Sequence, residues 1–212
     1  MAKTVKISSK KELRFYIQAD RMMNLGYFTP TFVQKVKNLI WPNKVMNFLV
    51  LMRKCQYYLG VKGRVNKLIY IYYKNLYNRL SLKLGFSIAP DVFGYGLVIP
   101  HYGTIVVGPT NDIGNYCVLH TSTCISGNGE IIGNALYLST GAKITAQITL
   151  GDNISIGANT VVTKSFEGSN LLLVGVPARI KMSSTAWYIR DGEEYHKKYL
   201  ACESLKHKLG LI

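Results

Sequence analysis

Acidic side chains are scarce in the first part of this chain: residues 1–85 hold two, Glu12 and Asp20, against 17 Lys and Arg. Residues 86–212 hold nine of each sign, so the whole net charge of +15 resides in the first segment. Such an excess suits a nucleic acid, an anionic membrane surface or a phosphorylated ligand, and charge alone does not choose among them. Cysteine is sparse, with four residues (Cys55, Cys117, Cys124, Cys202) and no C-x-x-C spacing. That excludes a disulfide framework and fits a reducing cytoplasm. Long apolar runs are missing as well. The longest near the N-terminus, Val45–Met52, is about a third of the length a membrane-spanning helix needs. The opening Met1-Ala-Lys-Thr-Val-Lys6 has neither an apolar core nor a small-residue cleavage site, so no secretory signal is expected. What the chain does have is length, 212 residues, and 48% hydrophobic content, enough for one or two compact domains with a sizeable core.

The period of the apolar residues changes near Gly85. Before it, Lys10–Asn24, Thr31–Ile40, Asn43–Leu59 and Gly63–Leu84 place apolar residues three and four apart, with Gly26, Pro30, Pro42, Gly60 and Gly63 between them; these read as four helices. After it, an aliphatic recurs every six positions at Val107, Ile113, Leu119 and Ile125. Following a one-residue offset it resumes at Ile132, Leu138, Ile144, Leu150, Ile156 and Val162. Six-residue faces, three to a coil, make a triangular parallel β-helix whose interior is a stack of these aliphatics. Gly108, Gly114, Gly133, Gly151 and Gly157 follow the aliphatics, as expected for corners that need unusual φ values. Trp187–Leu209 reads as a C-terminal helix with Tyr188, Tyr195, Tyr199 and Leu205 near one face.

The hexapeptide run, the segment Gly96-Leu-Val-Ile-Pro-His101-Tyr-Gly-Thr-Ile-Val-Val-Gly108 and the terminal Val174-Gly-Val-Pro-Ala-Arg179 together resemble the serine acetyltransferase branch of the left-handed β-helix acyltransferases. The resemblance covers roughly residues 86–181 and implies the left hand of the β-helix, which the period does not give. The expected fold is α+β: a basic α-helical domain over 1–85, a left-handed parallel β-helix over 86–181 and a C-terminal helical tail over 182–212. The resemblance also implies a homotrimer that binds acetyl-CoA in the groove between neighbouring β-helices.

By the same resemblance, His101 is the catalytic residue. Acetyl transfer from a thioester to an alcohol needs a base that takes the hydroxyl proton as attack occurs, and imidazole titrates near neutral pH. His120 follows by 19 residues, one coil plus one position, so the two can share an edge on adjacent coils. It is either an acceptor-binding or supporting residue or a solvent-facing corner. His196 and His207 fall in the C-terminal helix, as surface residues. On the co-substrate side, the resemblance puts pantetheine-binding backbone at Thr140, Gly141 and Ala158, with Lys164 and Arg179 as phosphate partners.

Two departures bear on the acceptor. Phe86 and Pro100 stand where the branch carries acidic residues, and the loop with its Arg and second His is missing, because Ser126-Gly-Asn-Gly-Glu130 runs straight back into the repeat. Orientation of His101 then falls to Asp91, Asp112 or a backbone carbonyl. Tyr102, Asn111 and His120 are suited to holding neutral hydroxyls without buried charge. The expected activity is acetyl-CoA-dependent O-acetylation of a sugar hydroxyl in a surface or capsular polysaccharide precursor. The alternative is serine O-acetylation in cysteine biosynthesis, and a lesser one is a non-catalytic trimeric scaffold held on a membrane by its basic helices. A β-helical carbonic anhydrase needs three histidines around a metal, and only His101 and His120 lie in the coils, so no metal is expected. The tyrosine-rich run Lys67–Arg79 reads either as helix packing or as a membrane interface. The expected location is cytoplasmic, with peripheral contact to the inner membrane surface open and no nucleic-acid motif visible.

Overall fold

The computed structural model describes residues 7–211; the reading of the first six residues as lacking a signal falls outside them. Four helices come first: α1 (Lys10–Leu25), α2 (Phe32–Ile40), α3 (Lys44–Gly60) and α4 (Arg64–Leu84). Their ends lie within a residue or so of those read from the period, because the caps are written in the sequence. Ser9 and Glu12 form a reciprocal capping box at the start of α1, Thr31 and Gln34 another at α2, and Asn43 caps α3. Gly26 and Gly85, both left-handed, stop α1 and α4.

The strands that follow make three parallel sheets. One runs β1 (Phe86–Ile88), β2 (Ile105–Val107), β5 (Thr123–Ile125), β8 (Lys143–Ile144), β11 (Val161–Val162). A second runs β4 (Val118–Leu119), β7 (Tyr137–Leu138), β10 (Ile154–Ile156), β12 (Leu171–Val174), closed by the antiparallel β13 (Arg179–Ser183). The third is β3 (Asp112–Ile113), β6 (Ile131–Ile132), β9 (Thr149–Leu150). Ile105 pairs with Thr123, eighteen residues on, whereas Cys124 pairs with Lys143, nineteen on. The extra residue is the one-position offset seen after Ile125. All ten repeat aliphatics are buried in one core, as a solenoid with inward-facing side chains requires.

The glycines have a different reason from the one expected. None of Gly108, Gly114, Gly133, Gly151 and Gly157 is at positive φ; that conformation falls instead to Tyr116, Ser122, Ala135, Asn153, Asn159 and Asn170 and to glycines such as Gly96 and Gly141. The constraint is close approach between stacked coils: a Cβ on Gly114 would lie 2.7 Å from the Gly133 carbonyl carbon and oxygen. Neither backbone can yield cheaply. Gly114→Ala is therefore expected to cost about 1–3 kcal/mol as an overpacked site, read from the denaturant midpoint. Gly168→Ala, whose Cβ would meet only Leu171 at 3.5 Å, should cost far less, and equal losses in the two would refute the close-approach account.

The apolar core runs unbroken from α3 and α4 into the coils, and a second cluster joins α1, the coil residues Tyr95, Val98 and Tyr116, and the C-terminal Trp187 and Cys202. One buried ion pair ties the helices to the first coil. Arg53 Nε is 2.7 Å from Asp20 Oδ2, both side chains are 0% exposed, and Arg53 also donates to the carbonyls of Phe93 (2.9 Å) and Gly94 (2.6 Å). Asp20 accepts from Leu97 N–H at 3.0 Å, and Asn24 bonds both Leu97 O and Ile99 N–H. This fixes the backbone that leads into Pro100 and His101.

The C-terminal segment is two helices, not one: α5 (Trp187–Arg190) and α6 (Glu193–Lys208). The break falls at Asp191–Gly192, where Gly192 takes φ +117°. Trp187 is buried and donates to Tyr116 O at 2.6 Å, and Glu203 accepts from Tyr95 and Tyr116. His207 is exposed, while His196 is half-buried against Tyr199.

Candidate functional site

His101 follows the buried run Leu97–Ile99 and is itself exposed, as are Pro100 and Tyr102. Inward residues anchor the strand while the corner turns these side chains out. The bridge between Val98 and Val118 gives a register of twenty at this edge, so His120 sits on the next coil one position out of line with His101. The two are close enough to interact. Burial, then the neighbouring His101, holds His120 below the ordinary histidine range, with Asp191 opposing. A neutral His120 is thereby favoured near neutral pH.

His120 Nε2 is 2.9 Å from Tyr137 Oη. The Tyr137 phenol is pushed up by burial and by Asp191, with Arg190 acting the other way. Arg190 lies 4.7 Å over the Tyr137 ring and donates to Ser155 Oγ at 2.7 Å and to Asp191. Tyr137, Arg190 and Asp191 thus complete the polar edge beside the histidines, and none was anticipated. Tyr137 carries a signal of sorts, being nineteen residues from Val118 in the ladder; the other two come from a tail remote in sequence.

The remaining residues are dispersed. Asn111 is buried, its amide bonded to Ser126 O (2.7 Å) and Glu130 N–H (3.2 Å). Glu130 is buried too and accepts from Ser126 and from Asn128 N–H. Asn111 therefore belongs to the tight turn that replaces the missing loop and offers nothing to an acceptor at His101. Asp91 lies where its charge raises the Tyr70 and Tyr77 phenols of α4, and Asp112 is on β3, paired with Ile131. The carboxylate whose field reaches His120 is Asp191. Phe86 is a core residue, its ring 5.0 Å from Phe48.

Along the corner above Thr121, Gly141 N–H donates to Thr121 O and Asn159 N–H to Thr140 O. Thr140 and Ala158 are exposed on successive coils. Gly141 has φ +75°, and a Cβ there would lie 2.1 Å from Asn159 Oδ1, so a side chain here is strained and displaces the Asn159 amide. Lys164 and Arg179 are exposed near the last coil. Behind Pro100, a cavity of about 310 Å³ opens between helices and coils, lined by Met23, Asn24, Asn43, Met46, Ile99 and Tyr195 among others, with no charged side chain.

No family model matches the chain. A serine acetyltransferase of Synechococcus elongatus is 32% identical over 107 residues, which is 47% of this chain and 43% of that protein. A solved serine acetyltransferase in complex with CoA superposes with a TM-score of 0.58 at 26% identity, over 79% of this chain and 67% of that one. The likeness is to serine acetyltransferases. Neisseria gonorrhoeae serine acetyltransferase shares the fold over 87% of this chain and 72% of its own, with a TM-score of 0.62 and 23% identity, so the helical region is part of the match and the solenoid has the left hand the resemblance implied. The chain spans about half the length of the curated serine acetyltransferases it matches. The relatives named are all serine acetyltransferases, the family of the expected alternative.

Proposed function

We propose that this protein is an acetyl-CoA-dependent O-acetyltransferase of serine acetyltransferase type, working as a homotrimer with the co-substrate between neighbouring solenoids. The observation that carries it is the exposed His101 beside His120 on a coil edge, in a fold like that of a CoA-bound serine acetyltransferase. His101 takes the acceptor hydroxyl proton as its oxygen attacks the thioester carbonyl; the C–S bond then breaks, and the thiolate leaves with that proton. The small exposed side chains at Thr140 and Ala158 leave backbone uncovered for an amide-bearing arm, and Lys164 and Arg179 suit its phosphates.

L-serine is the acceptor this reading takes first, because the relatives are serine acetyltransferases. A neutral sugar hydroxyl is the second reading, favoured by one feature: the cavity beside Pro100 offers no charge to a zwitterion. The purified protein, given acetyl-CoA with L-serine and a glycan panel in competition, should yield O-acetylserine at a specificity constant of about 10⁴ M⁻¹s⁻¹ or more. A dominant acetylated glycan would replace serine with the second reading. No transfer, with no rise in melting temperature on adding acetyl-CoA, would leave the scaffold. A stable monomer by light scattering would remove the proposed groove.

A further inference from the structure

Among the described residues, nothing covers the apolar face of α2. None of its residues is buried; Leu39 is 84% exposed, Phe32 80%, Val33 73% and the adjoining Trp41 72%. At 100° per residue, Phe32, Val33, Val36, Leu39 and Ile40 fill an arc of about 120°. Lys35 borders one side of that arc and Lys37 the other, with Gln34 and Asn38 opposite. The capping box and the bond from Asn43 N–H to Asn38 Oδ1 hold the helix by local means, so it stands without a packing partner.

Its surroundings are cationic and aromatic. One groove of about 450 Å³ is lined by Lys10, Arg14 and Arg21 with Tyr57 and Tyr58, and another of about 530 Å³ by Lys62, Arg64 and Lys67 with Tyr58 and Tyr70. The two acids of this region are spent, Asp20 on Arg53 and Glu12 on Ser8 and Ser9. Of the expected membrane face, Lys67–Arg79, Tyr77 is buried and Tyr73 stacks on Tyr58 under Lys54, while Leu68, Ile71 and Tyr72 stay exposed on α4.

We infer that α2 is an interfacial helix that seats this protein on an anionic lipid bilayer, its apolar arc among the acyl chains and its lysines at the headgroups. An apolar stripe flanked by Lys and ending in Trp is the composition such a helix needs, and each nearby cation adds attraction to an anionic leaflet. A second copy fits less well, because a two-fold contact across this face would set Lys35 and Lys37 against their own kind with no carboxylate to answer them. No described helix is long and apolar enough to cross a membrane, so the helix lies in the interface. The inference is independent of the acetyltransferase reading.

Trp41 is a built-in reporter, since the other tryptophan, Trp187, is buried. Titrating the full chain with phosphatidylglycerol-rich vesicles should shift its fluorescence to the blue and carry it down with them, whereas phosphatidylcholine vesicles should bind it far less. Phe32→Ser/Leu39→Ser keeps the reporter and removes no buried side chain, so its melting temperature should hold while vesicle affinity drops about tenfold or more. Lys35→Glu/Lys37→Glu should weaken binding and flatten its salt dependence. No vesicle binding, or equal binding by wild type and Phe32→Ser/Leu39→Ser, overturns the inference. So does a wild-type oligomer that Phe32→Ser/Leu39→Ser halves while neither binds lipid, which would give the face to a second copy.

Discussion

His101→Ala is expected to lower turnover by about 10²–10⁴-fold, the range general-base catalysis contributes, while leaving acetyl-CoA affinity nearly intact. The separation follows from geometry: His101 is on the lip after Ile99, whereas Thr140, Gly141 and Ala158 lie further along the solenoid. Misfolding does not confuse the result, because His101 is exposed and contributes nothing to either core cluster. A second readout belongs to the same variant. His101 is one of the groups holding His120 below its ordinary range, so its removal should move the His120 titration upward, visible by NMR. Turnover within about threefold of wild type would exclude His101 as the base. Lost turnover with an unmoved His120 would leave the base in place but separate the two imidazoles.

Much of this architecture is legible in the chain because it is set by local rules. Caps at Ser9, Thr31 and Asn43 mark helix starts, and a six-residue period survives in ten buried aliphatics. Most of the rest depends on partners remote in sequence. A glycine after five of the ten aliphatics signals a constraint, but whether it is φ or a facing backbone depends on the next coil, as Gly114 against Gly133 demonstrates. The α5–α6 break needs only Gly192 at φ +117°, a single residue inside an otherwise helical pattern. The polar neighbours of His120 come from β7 and from the tail, so no spacing in the sequence announces Asp191 or Arg190. Asn111 reads as a free amide until the turn it staples is seen. The period of α2 likewise declares an apolar face without saying what lies against it.

Arg53→Met is expected to cost about 3–5 kcal/mol, since it leaves Asp20 as an uncompensated buried charge. Removing both charges often restores stability in a buried pair, because desolvation offsets much of the attraction. Here the double variant Asp20→Leu/Arg53→Met should recover little. Arg53 also donates to Phe93 O and Gly94 O, and Asp20 accepts from Leu97 N–H; an apolar pair leaves Gly94 O and Leu97 N–H without these partners, at about 1–3 kcal/mol each, and Phe93 O with the longer bond from Gln56 Nε2 at 3.4 Å. That loss is comparable to the cost of the single variant, so urea unfolding of wild type, single and double variants decides between a simple ion pair and a backbone clamp. A double variant as stable as wild type would mean the backbone groups find other partners. If the clamp is real, the damage extends to the site, because Leu97–Ile99 carries the chain into Pro100 and His101. Turnover of the folded single variant should then fall with the acetyl-CoA Michaelis constant little changed, the pattern of a misplaced base and not of a lost co-substrate contact.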